Sequence, residues 1–196
     1  LSGNKLLMGR LNEQEYQRVA NASDKIRKLP VYINKKEGAT VTDISNMARK
    51  IKGLVCIVVD YIGKMTPENK KVGRYEYMTE ISGDIKTLAR KFKVPVLALS
   101  QLNRANAERR DKRPSLSDLR DTGAIEQDAD GVIFLHREDY YQEKVYRDPW
   151  EPSELDIIVE KDRHGATGAC KAAFYMVTGR IIPAKIDDRR EALNGE

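Results

Sequence analysis

Apolar positions fall into two patterns along the chain. Residues 54–59 (Leu-Val-Cys-Ile-Val-Val) are apolar without a break, mostly β-branched, and end at Asp60. An unalternating run of this kind predicts a strand covered on both faces, as in a parallel sheet flanked by helices. Residues 94–99 form a second such run ending at Ser100-Gln101, residues 131–135 form a third, and residues 155–159, broken only by Asp156, are a fourth strand candidate. Between the runs the period lengthens to that of a helix. Tyr16, Val19, Ala20, Ser23, Ile26 and Leu29 share one face, and Pro30 closes that segment. Val41, Ile44, Ala48 and Ile51 share another, with Thr40 or Thr42 as the cap and Gly53 as the stop. Ile81, Ile85, Leu88, Ala89 and Phe92 form the stripe of a long helix beginning near Arg74.

The remaining segments are shorter. Val31-Tyr32-Ile33 is a strand candidate, and residues 169–175 pair with Ile181-Ile182 in a hairpin across Thr178-Gly179. Residues 61–73, with Gly63, Pro67, Gly73 and three lysines, predict a mobile basic loop; the charged last ten residues predict a frayed tail. Helices alternating with apolar strands give an α/β class with a mainly parallel sheet. Residues 1–185 would be one domain and 186–196 its tail.

Composition narrows this only a little. With 196 residues, 40% of them hydrophobic, the chain can build one domain with a real core. The net charge of +5 and pI of about 9.1 allow a polyanionic partner without demanding one. Cys56 and Cys170 stand in apolar, strand-like surroundings and are expected to be small buried hydrophobes in a reducing compartment. No apolar run reaches membrane-spanning length, so no membrane partner and a cytoplasmic location are expected.

The candidate chemistry sits at strand ends. In open parallel sheets ligands bind outside the carboxyl ends of the strands, where Asp60 could hold Mg²⁺. On those residues alone, a carboxylate capping the next helix explains Asp60 equally well. Gln101 could hydrogen-bond an attacking water or a terminal phosphate, or simply begin an exposed loop. From Arg104 to Arg120 six basic residues face three acidic ones. Such a loop suits nucleic-acid phosphates, although charge runs are usually solvated surface.

The run from Asp118 to Asp130 (Asp-Leu-Arg-Asp-Thr-Gly-Ala-Ile-Glu-Gln-Asp-Ala-Asp), taken with Ser-Gln-Leu-Asn-Arg at 100–104, resembles the motor domain of DnaB-type bacterial and phage replicative DNA helicases. The likeness continues through residues 160–168, and upstream through residues 6–11 and 29–33. The resemblance implies a RecA-like fold, ATP and Mg²⁺ as cofactors, a homo-hexameric ring, single-stranded DNA as substrate, and primase and a helicase loader as partners. It implies that Asp60 is the Walker B acid organising the metal and that Gln101 is the sensor between nucleotide and DNA loops. Lys161 and Arg163 match the basic pair that reaches a neighbouring subunit's ATP. Arg120, Asp121 and Gly123 match the loop that grips DNA phosphates, where a glycine lets a backbone N–H approach closely.

Some positions depart from the family. Residues 62–65 read Ile-Gly-Lys-Met rather than Leu-Gln-Leu-Met, Gly83 stands where an arginine is common, and His164 replaces an asparagine. No Gly-x-x-x-x-Gly-Lys-Ser/Thr segment occurs in the 196 residues. The expectation is therefore a motor domain without its first strands, P-loop and catalytic glutamate. The strand leading into that loop lies inside the family's sheet, so the sheet should be interrupted or completed by a strand from elsewhere. Two other functions are open: another RecA-like ATPase such as a recombinase paralogue or a clock-type hexamer, and a degenerate, non-catalytic phage protein that binds DNA or joins a helicase ring.

Overall fold

The computed structural model describes all residues except 69–72, 104–108, 142–147, 149 and 185–196, and all their side chains except those of 74, 75 and 120–122. In chain order the elements are α1 (Gly3–Leu7), α2 (Glu13–Arg27), α3 (Val41–Ala48), β1 (Ile57–Val59), α4 (Arg74–Phe92), β2 (Val96–Ala98), α5 (Gly123–Asp128), β3 (Gly131–His136), β4 (Ser153–Asp162), β5 (Gly168–Tyr175) and β6 (Arg180–Pro183). Short 3-10 turns cover Ile62–Lys64, Leu116–Thr122 and Glu138–Tyr140. The chain divides into two compact units. One holds Leu1–Pro30, Ile133–Ile158 and Gly168–Glu196; the other holds Val31–Val132 and Val159–Thr167.

The second unit is built around α4. Its predicted stripe is the buried face: Ile81 is 2% exposed and Leu88 is equally buried, with Ile85 and Phe92 packed beside them. They meet Ile57 and Val59 of β1, Ala48 of α3, and Ile62 and Met65 of the segment after β1 in one core. Burying each such side chain contributes about 1.5–3 kcal/mol, enough to fix α4 against the sheet. The helix stops at Lys93, whose φ of 55° is left-handed. Thr40, not Thr42, caps α3: it accepts from the Asp43 N–H at 3.2 Å while the Asp43 carboxylate takes the Thr40 N–H at 3.0 Å.

β1 and β2 are parallel, with Ile57 opposite Val96 and Val59 opposite Ala98. Both are shorter than predicted; one face of β1 is covered, and in β2 only Val96 is partly buried. Val58 and Leu97, which point the other way, are 59% and 57% exposed. An unalternating run measures tolerance for burial on both sides; here the core supplies a cover on one. The described strands form two sheets rather than one, β1-β2 and β3-β4-β5-β6.

In the first unit, Asn12 and Glu15 form a reciprocal capping box that starts α2. β5 and β6 are the expected antiparallel hairpin, Phe174 opposite Ile181 and Ala173 opposite Ile182. Gly179 turns it at a φ of 68°, and its N–H bonds the Tyr175 carbonyl at 2.8 Å. Phe134 of β3, Leu155 and Ile158 of β4 and Ala172 of β5 are buried. Arg137 donates two bonds to Asp139 and lies over the Phe174 ring, while Ser153 donates to the same carboxylate at 2.6 Å.

Three expectations fail. Val31-Tyr32-Ile33 is not a strand; its side chains are exposed, because β-branched residues form a strand only beside a partner. Cys56 and Cys170 are exposed: Cys56 stands just before β1, and Cys170 lies in the exposed first half of β5. The described part of residues 61–73 is anchored rather than loose, with Ile62 and Met65 in the core. The charged tail, 186–196, lies outside the described residues.

Candidate functional site

Parallel pairing of β1 and β2 in this register brings Asp60 and Ser100-Gln101 out at the same sheet end. Asp60 and Gln101 are both exposed there, as expected of groups that meet a ligand. The peptide joining Asp60 to Tyr61 is cis. The two exits are tied together: the Leu99 N–H bonds the Val59 carbonyl at 2.9 Å, and the Ile62 N–H bonds the Leu99 carbonyl at 3.0 Å. From α4, the Tyr77 hydroxyl donates to the Met65 carbonyl at 2.6 Å. Gly63, a departure from the family pattern, has a local reason. A Cβ there would come within 2.9 Å of the Tyr61 ring. Gly83, by contrast, faces open space, so nothing in the fold selects glycine at that position.

The chain after Gln101 is fastened to the basic loop. The Asn103 N–H bonds the Asp118 carbonyl at 3.2 Å, at the 3-10 turn Leu116–Thr122. The buried Asp118 side chain organises that turn by accepting from the Ser115 N–H at 2.8 Å and from Arg109 at 2.7 Å. Arg109 is thereby partly neutralised, so the expected excess of positive charge is smaller than residue counting implied. This pairing could not be read from spacing.

The expected DNA-gripping residues lie next. The side chains of Arg120 and Asp121 fall outside the described residues; Gly123 is described and begins α5. Its φ of −48° and ψ of −24° suit any residue, and a Cβ would meet nothing within 4 Å. The fold therefore does not require glycine there.

Lys161 and Arg163 converge on the other end of α5. Lys161 Nζ donates to the Glu126 carbonyl at 2.5 Å, and Arg163 Nη2 donates to the Gln127 carbonyl at 3.1 Å. Arg163 Nη1 lies 3.0 Å from Asp130 Oδ1, and Lys86 of α4 pairs with the other oxygen of that carboxylate. The Lys86 hydrogen bond holds the Asp130 carboxyl below its ordinary range; burial opposes it, and the charges of Lys86, Arg163 and His164 add to the lowering. The turn after Lys161 is fixed as well. The Asp162 carboxylate accepts from the His164 N–H at 3.0 Å and lies where a side chain on Gly165 would go. His164 is thus an exposed turn residue, and His136 separately bonds Glu138 at 3.1 Å. Asp130 closes the family-like run, but neither it nor Lys86 has an individual role legible in sequence, because the two stand far apart along the chain.

Comparison with known proteins identifies the family and the fold. The family described as DnaB-like helicase C terminal domain matches residues 1–181. The replicative DNA helicase DnaB of Leifsonia xyli subsp. xyli (strain CTCB07) is 39% identical over 176 residues, which cover 88% of this chain and 38% of that protein. That of Geobacillus stearothermophilus is 37% identical over 186 residues, covering 93% of this chain and 40% of its own. The chain thus spans about two fifths of the length of these curated relatives. Among solved structures, one described as an ATPase domain superposes with a TM-score of 0.84 at 31% identity, over 94% of this chain and 66% of its own. A DnaB-like replicative helicase described with its interactions with primase gives the same score and identity, over 94% of this chain and 45% of its own.

Proposed function

Since the chain belongs to the DnaB-like helicase C-terminal domain family and has its RecA-like α/β fold, we propose that it forms part of a replicative helicase motor. That motor couples ATP hydrolysis to 5′–3′ movement along single-stranded DNA and to duplex unwinding. The observation that carries this reading is the connected path from Asp60, through the β1/β2 exits and Gln101, to the Leu116–Thr122 turn. A path of fixed backbone bonds suits a site that must report the state of a nucleotide to a DNA-contacting loop.

Asp60 suits Mg²⁺ by its chemistry, an exposed carboxylate beside an amide at a parallel strand end. Bound there with ATP, the metal would neutralise charge on the phosphates. Gln101 orients the attacking water or the terminal phosphate, and Lys161 and Arg163 supply cations to a neighbouring subunit of a hexameric ring. Primase is the partner favoured by the solved relative described with its primase interactions. The test is ATP turnover by the whole protein with and without single-stranded DNA, followed by unwinding of a duplex bearing a 5′ tail. DNA-stimulated turnover lost in Asp60→Ala is expected; tail-independent or absent unwinding would overturn the reading. The 196 residues alone, having no P-loop sequence, should show no tight ATP binding in a calorimetric titration.

Two substitutions test the DNA loop. Gly123→Ala should leave the melting temperature unchanged or raise it, because alanine is favoured over glycine in a helix by roughly 0.5–1 kcal/mol. It should nevertheless weaken oligonucleotide binding by about tenfold, roughly 1.4 kcal/mol, if a phosphate approaches that backbone. Unchanged affinity would remove Gly123 from the DNA site. Arg120→Ala should weaken binding about equally across sequences and flatten the salt dependence by about one unit for one lost phosphate contact. An unchanged salt slope would make Arg120 structural.

A further inference from the structure

We propose that Asp130 is a positioning residue for Arg163, and that through α5 it couples the DNA loop to the two cations. The inference rests on the reading above, in which Lys161 and Arg163 act on a neighbour's nucleotide. It adds a device that holds the cations and a route by which DNA reaches them.

The geometry makes Asp130 a junction. Its backbone carbonyl accepts from the Arg163 N–H at 2.8 Å, which fixes where the Arg163 Cα lies. Its carboxylate takes the Arg163 guanidinium on one oxygen and the Lys86 ammonium on the other. Lys86 is only 17% exposed and sits on α4 next to Ile85, which packs on the core. The ion-pair chain Lys86–Asp130–Arg163 therefore runs from the most firmly packed helix of the unit to the expected finger.

The second anchor is α5. The last four carbonyls of a helix have no partner within it. Here Glu126 and Gln127 offer theirs to Lys161 and Arg163. The other end of α5 is Gly123, reached directly from the 3-10 turn Leu116–Thr122. Six helical residues span about 9 Å and move as one body. A shift of the DNA loop would therefore be delivered to both cations together.

Exposure decides between orientation and stability. The Arg163 and Asp130 side chains are 42% and 57% exposed, and an ion pair so open to water adds little to folding. What it does supply is direction: a long flexible guanidinium is held in one place while still open to an incoming phosphate. Asp130 remains ionised because the Lys86 ammonium, Arg163 and His164 all favour its charged form.

The test uses two measurements. In the 196-residue chain, the rate at which phenylglyoxal modifies Arg163 is followed by peptide mass spectrometry. Asp130→Asn should raise it about threefold or more with an unchanged melting temperature. In the whole helicase, Asp130→Asn should lower DNA-stimulated kcat about tenfold while KM for ATP changes less than about twofold. Asp130→Glu should restore part of that loss. Lys86→Gln, which leaves Asp130 and Arg163 in place, should act in the same direction but less, and serves if Asp130→Asn does not fold. Unchanged modification and kcat in a folded Asp130→Asn would overturn the inference. So would a fall in kcat that tracks lost thermal stability and is not relieved by glutamate. Arg163→Ala separates the two levels: if it abolishes turnover while Asp130→Asn is silent, only the positioning role fails. If Arg163→Ala itself leaves turnover intact, the reading of the cation pair fails with it.

Discussion

Arg163→Ala in the whole helicase is expected to reduce ATP turnover by about 10³-fold or more with little change in nucleotide affinity. A cation brought to a transferring phosphoryl group is worth roughly 10³–10⁵ in rate, and almost none of that appears in ground-state binding. A mixing experiment decides whether Arg163 serves its own subunit or a neighbour. Arg163→Ala subunits combined with Asp60→Ala subunits create some interfaces where an intact Asp60 meets an intact Arg163. Partial recovery of turnover is expected on mixing. If every mixture stays as inactive as the separate mutants, Arg163 works within its own chain.

Ile81→Ala should have the largest effect on folding. Ile81 is the largest fully buried side chain among the described residues, at the centre of the α4 stripe. Replacing such an isoleucine with alanine costs about 2–5 kcal/mol, a large part of the roughly 5–15 kcal/mol that holds a domain together. In a chain of this size a loss of about 3 kcal/mol lowers the melting temperature by roughly 6–12 °C. Thr87, also on α4 but exposed, is the control: Thr87→Ala should fall within about 0.5 kcal/mol of the parent. Similar losses at both positions would mean that α4 is stabilised by its own propensity and not by the core.

The elements that sequence predicts well are those whose signal is local. The α4 stripe from Ile81 to Phe92, the Thr40 cap and the turn at Thr178-Gly179 each depend on residues a few positions apart, and each appears in place. The placement of Asp60 and Gln101 just beyond strand ends was legible because a strand that ends in a polar residue marks its own boundary. Non-local requirements were not legible. Val58 and Leu97 have the composition of buried strand residues, but no second layer covers them among the described residues. Val31-Tyr32-Ile33 has strand propensity and no strand to pair with among those residues. Asp118 and Asp130 bound the family-like run, but their pairing is not in it: their partners Arg109 and Lys86 meet them only in the folded chain. Pattern reports what a residue favours, while pairing depends on what stands opposite.

The β1-β2 sheet bears on how the purified chain behaves in bulk. Among the described residues β2 pairs only with β1, so its outer row of backbone donors and acceptors faces outward beside Leu97 and Leu99. Natural proteins guard such a row with lysine, proline or a bulge; Val96–Ala98 itself contains none of these, although Pro95 stands just before it. The chain's net charge of +5 is carried elsewhere and repels copies only at longer range, where salt screens it. Aggregation by strand addition would therefore begin at an open edge of this two-stranded sheet, β2 among them, be slow in dilute low-salt buffer and quicken as ionic strength rises. A Leu97→Lys substitution would protect the sample more than any general increase in solubility.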